Sequence, residues 1–180
     1  FKIYEKYHCN RSWNSDLIET CKKASIDFMT TPYDIEAIKL FKNHVPAFKI
    51  GSGDLTYGDI ISFLSKTKKP LFLATGASSI QEIKNTVNLI LKENSNICLM
   101  QCNTNYTNDP ENFKFINLNV LKQFESIWPG IPLGLSDHTS GHTTVLGAIA
   151  LGVTVVEKHF TDNNNREGPD HHFAMNPNTW

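Results

Sequence analysis

Two histidines, His138 and His159, stand 21 residues apart and carry the strongest chemical signal in the chain. Each closes an apolar run. Ile131-Pro132-Leu133 leads into Ser136-Asp137-His138, and Val153 to Val156 leads into Glu157-Lys158-His159. Neutral imidazole is a common ligand for divalent metals, so two imidazoles delivered to one place read as a metal pair. A lone His is commonly structural; adjacent strand ends are what turn these two toward metal. Asp137 could orient a ligand as its carboxylate partner, and Glu157-Lys158-His159 could supply the second ligand.

Further along the chain other groups suit small anions and sugars. Lys49-Ile50-Gly51-Ser52-Gly53-Asp54 offers a cation, and a small-residue turn whose N–H groups and Ser hydroxyl can approach an oxyanion. It lacks the Walker spacing, and its plainer reading is a turn with a solvated Lys. Thr75-Gly76 is weaker, since such pairs often just end a strand. Asn103-Thr104-Asn105-Tyr106 has polar groups and a phenol suited to a polyol, or else forms a capped loop with Tyr on its rim. Asp170 follows an Asn-rich loop and can reach over strand ends, whereas His171 and His172 read as loop polarity. Cys98 and Cys102 share a strand face but lie too far apart for one metal, so they are assigned to core packing, as are Phe48, Phe72 and Trp128 to core or rim.

Positioning these groups requires strands that all end on one side. Apolar runs predict strands beginning near Phe28, Phe48, Leu71, Ile97, Leu133 and Val153, at intervals of 20, 23, 26, 36 and 20 residues. Helices fit between them: one over Ser12–Ala24, one opened by Asp34, one over Ile60–Leu64, and a long one capped by Ser78 or Ser79. Another lies around Leu118 to Phe124, and a small-residue one runs from Thr143 to Leu151. Residues 1–11 show no clean period. The strands are continuous apolar runs, as expected when both faces are covered. The class is therefore α/β with a parallel sheet, either doubly wound or a (β/α)8 TIM barrel. The barrel is favoured because every strand end is polar, whereas a doubly wound sheet gathers its site at one switch point. A whole barrel takes about 250 residues, so this chain is expected to hold about six of eight βα units, strands 3–8.

The chain has 180 residues, 40% of them hydrophobic, enough for one domain with a sizeable core. A formal net charge of −1 gives no electrostatic reason to expect nucleic acid or an anionic membrane as partner. The longest apolar run, Val145 to Val153, is too short to span a bilayer, and a signal peptide before the domain is not expected. Cys9, Cys21, Cys98 and Cys102 lack a disulfide spacing, which makes a reducing cytoplasm the default.

Taken in order, Thr31-Pro32, Lys49 to Asp54, Thr75-Gly76, Cys102 with Tyr106, Ser136-Asp-His-Thr139, Glu157 to Thr161 and Gly168-Pro-Asp170 resemble the sialic acid synthases. That family includes N-acetylneuraminate synthase and its legionaminate, pseudaminate and spore-coat polysaccharide relatives. The resemblance covers about residues 12–180. It implies a (β/α)8 barrel that condenses phosphoenolpyruvate with an N-acetylated hexosamine such as N-acetylmannosamine. The products would be a nine-carbon 2-keto-3-deoxy acid and phosphate. It implies that His138 and His159 hold Mn2+ or Mg2+, which polarises the sugar aldehyde. Lys49, Ser52 and Ser136 would neutralise phosphoenolpyruvate, with Thr31, Thr75 and Thr104 close by. Tyr106 and Asp170 would position the sugar, and Asp54 stands where relatives often place an acid near the metal. Residues 1–180 would then be a partial synthase domain lacking two N-terminal strands and a C-terminal antifreeze-like domain, cytoplasmic, and homodimeric in the full-length protein. Ala74 departs from the family, whose members often carry Ser before Thr-Gly, and Thr104 stands where some place Asn.

Two other readings remain. One is a related phosphoenolpyruvate-using or aldolase-type barrel with another acceptor, which swapping acceptor aldehydes would separate; a Schiff-base aldolase is disfavoured, since borohydride trapping on Lys49 is expected to fail. The other is an inactive barrel fragment that only binds ligand, with unpaired sheet edges.

Overall fold

The computed structural model describes residues 5–7, 9–106 and 109–180, so the unassigned stretch 1–11 falls partly outside the described residues. In chain order its elements are α1 (Asn14–Lys23), α2 (Ile35–Phe41), β1 (Phe48–Ile50), α3 (Gly58–Lys66), β2 (Leu71–Ala74), α4 (Ile80–Leu91), β3 (Ile97–Cys102), α5 (Val120–Ile127), β4 (Leu133–Asp137), α6 (Thr143–Ala150) and β5 (Val155–Lys158). Short 3-10 turns cover Arg11–Trp13, Ser52–Asp54 and Pro110–Phe115.

Local chemistry sets the helix starts. Asp34 accepts from Ala37 N at 2.7 Å and opens α2. Ser79 forms a reciprocal capping box with Glu82 at the start of α4, its Oγ accepting from Glu82 N at 3.3 Å. Each such cap is worth about 0.5–2 kcal/mol, enough to fix where a marginal helix begins. Instead of Ser12 or Ser15, it is Asn10 that caps the first turn, accepting from Ser12 N at 3.0 Å.

The five strands are all parallel and stand in the order β1-β2-β3-β4-β5. Sequential order is what a singly wound barrel requires; a doubly wound sheet reverses direction at its switch point. The sheet is thus an arc of a TIM barrel. The strand predicted near Phe28 survives only as one parallel bridge, Thr30 to Phe48, where Lys49 N donates to Thr30 O at 3.2 Å. This segment has a single neighbour, β1, among the described residues. Ile26 and Met29 remain exposed, while Phe28 stacks on Phe41 with ring centroids 5.6 Å apart.

Side chains alternate between the two faces of the arc. Phe48, Ile50, Leu71, Leu73, Leu99, Leu133 and Leu135 point outward into one core with Ile38, Phe41, Ile61, Leu64, Val87, Ile90, Leu121, Phe124 and Ala148 of the helices. Burying each large apolar side chain contributes about 1.5–3 kcal/mol, and this convex core holds the arc together. The alternate residues, Lys49, Phe72, Ala74, Cys98, Met100, Cys102, Gly134, Ser136 and Glu157, are left for the concave face. Gly134 is needed there, because a Cβ would lie 2.7 Å from Met100 Cγ and 3.1 Å from Cys98 Sγ.

Candidate active site

On the concave face Glu157 is a hub. Its Oε1 accepts from Lys49 Nζ at 2.8 Å and from Ser136 Oγ at 2.8 Å. Ser136 and Glu157 are register partners on β4 and β5, whereas Lys49 comes from β1 at the far end of the sheet. The Lys49 side chain is only 11% exposed, while that of Glu157 is 46% exposed and opens to solvent. A buried cation beside an accessible carboxylate and a hydroxyl suits a small anion together with proton transfer.

Above this floor the two imidazoles converge. The rings of His138 and His159 lie 5.1 Å apart between centroids, with planes at 48°. Tyr106 covers them, 4.1 Å from His138 and 5.9 Å from His159, and buried Phe173 backs them at 6.1 and 4.9 Å. His138 Nδ1 lies 2.7 Å from Asn103 O. A carbonyl oxygen only accepts, so Nδ1 carries the proton and Nε2 presents the lone pair. His159 Nδ1 lies 3.6 Å from Asp170 Oδ2. A hollow of about 460 Å³ adjoins His159 and Asp170, with Arg166 and Glu167 on its wall.

Electrostatics separate the two rings. Burial opposes charge on His138, but the Cys102 thiol and the Asn103 carbonyl outweigh it, and the pKa rises. Burial dominates at His159, helped by the neighbouring His138 and Lys49 charges, and its pKa falls despite Asp170 and Glu157. Burial also opposes ionisation of Cys102, yet hydrogen bonds from His138 and Ser52 lower its pKa overall. Burial alone pushes Cys98 up to about 12.

Several residues singled out in the sequence stand elsewhere than expected. Asp137 does not orient His138; its carboxylate pairs with Lys158 Nζ at 2.6 Å on the opposite face, and a backbone carbonyl does the orienting. The Thr75 hydroxyl donates to Met100 O at 2.9 Å, so it is spent on the sheet. Cys102 is not core packing: it is half-buried, with Sγ 4.0 Å from His138 Nδ1. Ser52 Oγ accepts from Gly76 N at 3.0 Å, which ties the ends of β1 and β2. Thr31, Gly51 and Asp54 lie together at the end of β1, with Asp54 turned back over Gly51, and burial raises the Asp54 pKa. Thr104 packs its methyl beside Gly76. His171 and His172 stay out of the imidazole pair, His171 facing the Thr161 hydroxyl at 2.7 Å.

Two groups at this site had no role of their own in the sequence reading. Glu157 was named only within Glu157-Lys158-His159 as a source of the second ligand, although period-2 spacing puts it on the same face as His159 and the register sets it level with Ser136. Phe173 could not have been found, since only a fold-back bridging Phe160 to Met175 brings it to the rings.

Among the described residues no three His, Cys, Asp or Glu side chains converge into a closed metal cage. The donor set that remains is two imidazoles, with Nε2 of His138 the nitrogen not engaged by the Asn103 carbonyl. That set fits an ion which keeps water or takes substrate oxygens in its other positions, and imidazole favours a first-row metal such as Mn2+ over Mg2+.

A model of the NeuB family matches residues 1–180. An uncharacterized protein of Methanocaldococcus jannaschii is 38% identical over 180 residues, covering 98% of this chain and 52% of that protein. The N,N'-diacetyllegionaminic acid synthase of Campylobacter jejuni is 33% identical over 180 residues, covering 98% of this chain and 53% of that protein. The crystal structure of the N-acetylneuraminic acid synthetase of Leptospira borgpetersenii in complex with citrate superposes with a TM-score of 0.90 at 25% identity, over 99% of this chain and 61% of that one. The chain spans about half the length of the curated relatives it matches.

Proposed function

We propose a reaction for this protein on one premise: the chain belongs to the NeuB family. The reaction is condensation of phosphoenolpyruvate with the aldehyde of an N-acetylated hexosamine. C3 of phosphoenolpyruvate bonds to the aldehyde carbon, water adds at C2, and phosphate leaves, giving a nine-carbon 2-keto-3-deoxy sugar acid. The observation that carries this reading is the meeting of Lys49, Ser136 and Glu157 on the floor beneath the His138–His159 pair.

Each residue has a task that its surroundings support. Lys49 supplies a fixed positive charge for the carboxylate or phosphate of phosphoenolpyruvate, and Ser136 and Ser52 supply hydroxyl donors beside it. Glu157, hydrogen-bonded yet open to solvent, handles the proton that moves as water adds. Tyr106 offers a flat face and a phenol to the sugar, and Asp170 a carboxylate to its hydroxyls. Thr31, Thr104 and Asp54 line the approach at the ends of their strands. A divalent metal held by His138 and His159, Mn2+ by donor preference, would polarise the aldehyde. The domain would be part of a longer synthase acting as a cytoplasmic homodimer; free Cys9, Cys21, Cys98 and Cys102 accord with a reducing compartment. No helix among the described residues is long and apolar enough to cross a membrane. A Schiff-base aldolase is a poorer reading, because Lys49 meets a carboxylate instead of the apolar pocket that activates an amine.

The test is incubation of the full-length protein with phosphoenolpyruvate, Mn2+ and each of a panel of N-acetylated hexosamines, with phosphate and keto-acid measured. Acceptor-dependent release of both products in equal amounts is expected. Absence of product with every acceptor overturns the reading.

A further inference from the structure

A buried ion pair sits beside the imidazoles on the other face of the sheet. Asp137 and Lys158 are the last register partners of β4 and β5, and each immediately precedes one histidine. Their side chains are 2% and 5% exposed, and Lys158 Nζ donates to Asp137 Oδ2 at 2.6 Å. The same ammonium donates to Thr139 O at 2.6 Å. Asp137 Oδ1 in turn accepts from Thr139 N at 3.1 Å, and the Thr139 hydroxyl lies 2.9 Å from both carboxylate oxygens. That hydroxyl is also 3.0 Å from the Thr144 hydroxyl in the first turn of α6. His138 is therefore bracketed: the residue before it and the residue after it are held by one cation, and that cation belongs to the residue before His159.

Stability does not account for this arrangement. Desolvating two charges offsets most of their attraction, and an apolar pair of similar volume is often as stable. Position accounts for it. Neighbouring residues on a strand point to opposite faces, so an outward lock on Asp137 and Lys158 fixes the backbone from which the inward rings project. Beyond this pair the register of β4 with β5 ends, so it is the last strand pairing before the two histidines.

We infer that the Asp137–Lys158 pair, with Thr139, is a positioning device that sets the spacing of the His138 and His159 rings for a shared divalent ion. The inference rests on the metal reading proposed above.

Manganese binding to the full-length protein, followed by electron paramagnetic resonance of free Mn2+, tests it without reference to turnover. In the double variant Asp137→Asn with Lys158→Gln, which leaves no unpaired charge, affinity is expected to fall about 10–100-fold, the usual loss when groups that orient ligands are removed. Thr139→Val, which keeps both charges, shifts affinity in the same direction, and Lys158→Arg retains most of the wild-type affinity. Thr86→Val supplies the stability control. It removes a buried bond on α4, from the Thr86 hydroxyl to Leu55 O at 2.7 Å, and is expected to lower the melting temperature with affinity unchanged. Wild-type affinity in both the double variant and Thr139→Val overturns the inference and leaves the metal reading intact. Absence of Mn2+ binding by the wild type removes both.

Discussion

Lys49 Nζ donates to Glu157 Oε1 at 2.8 Å, although β1 and β5 are the outermost strands of the described sheet. With neighbouring strands about 4.8 Å apart, a flat sheet would separate β1 and β5 by roughly 19 Å, beyond the joint reach of these two side chains. The contact exists because the sheet curls, and its curvature turns two residues 108 positions apart into one floor.

Glu157→Gln keeps the shape of that floor and removes its charge. The expected result is a kcat about 10²–10⁴-fold lower, the range for loss of a general acid–base group, with Mn2+ affinity little changed. Steady-state rates beside a metal titration check this; an unaltered kcat removes Glu157 from proton handling.

Metal affinity is expected to depend on pH through His138. Its Nε2 must be unprotonated to bind metal, and its pKa is raised above the ordinary 6.5. Affinity should therefore begin to fall above pH 6.5 as pH is lowered, with proton release on binding, while His159, whose pKa is lowered, stays neutral through that window. Calorimetry in buffers of different ionisation enthalpy measures the protons released. Affinity independent of pH between neutrality and pH 6 contradicts the assignment.

Ser136 and Thr75 look alike in sequence but differ in engagement. Ser136→Ala removes a donor next to the proposed anion and is expected to raise the KM for phosphoenolpyruvate about tenfold or more, the value of a hydrogen bond to a charged group. Thr75→Val breaks only a bond to the sheet and should cost about 1 kcal/mol of stability without moving KM. Equal KM shifts in the two variants would count against this division.

Gly76→Ala should destabilise the protein by about 1–3 kcal/mol, as overpacking usually does. The added Cβ would stand 2.7 Å from Thr104 Cγ2, 2.9 Å from Cys102 O and 3.0 Å from Ser52 Oγ. Two of these atoms belong to side chains at the site, so thermal melts and the KM for phosphoenolpyruvate should change together. A melt identical to wild type would show that this turn relaxes freely.

Much of this molecule was legible before any coordinates. Apolar runs at intervals of 20 to 36 residues announced parallel βα units, and polar groups at each run's end announced a barrel rim. Asp34 and the Ser79–Glu82 pair marked helix starts through chemistry contained within a few residues. The His138–His159 pairing was legible too, because register between neighbouring parallel strands follows from two similar runs joined by one helix.

Tertiary structure alone decided the rest, and the reason is that long-range contact leaves no local periodic trace. Whether Asp137 faces its neighbour His138 or turns to Lys158 depends on which side of β4 the helices cover. Whether Lys49 meets Glu157 depends on the curl of the whole sheet, and Phe173 reaches the imidazoles only through a fold-back at the end of the chain. Residue types and spacing determined which groups stand at the rim of the strands; curvature and the covered face decided which of them touch.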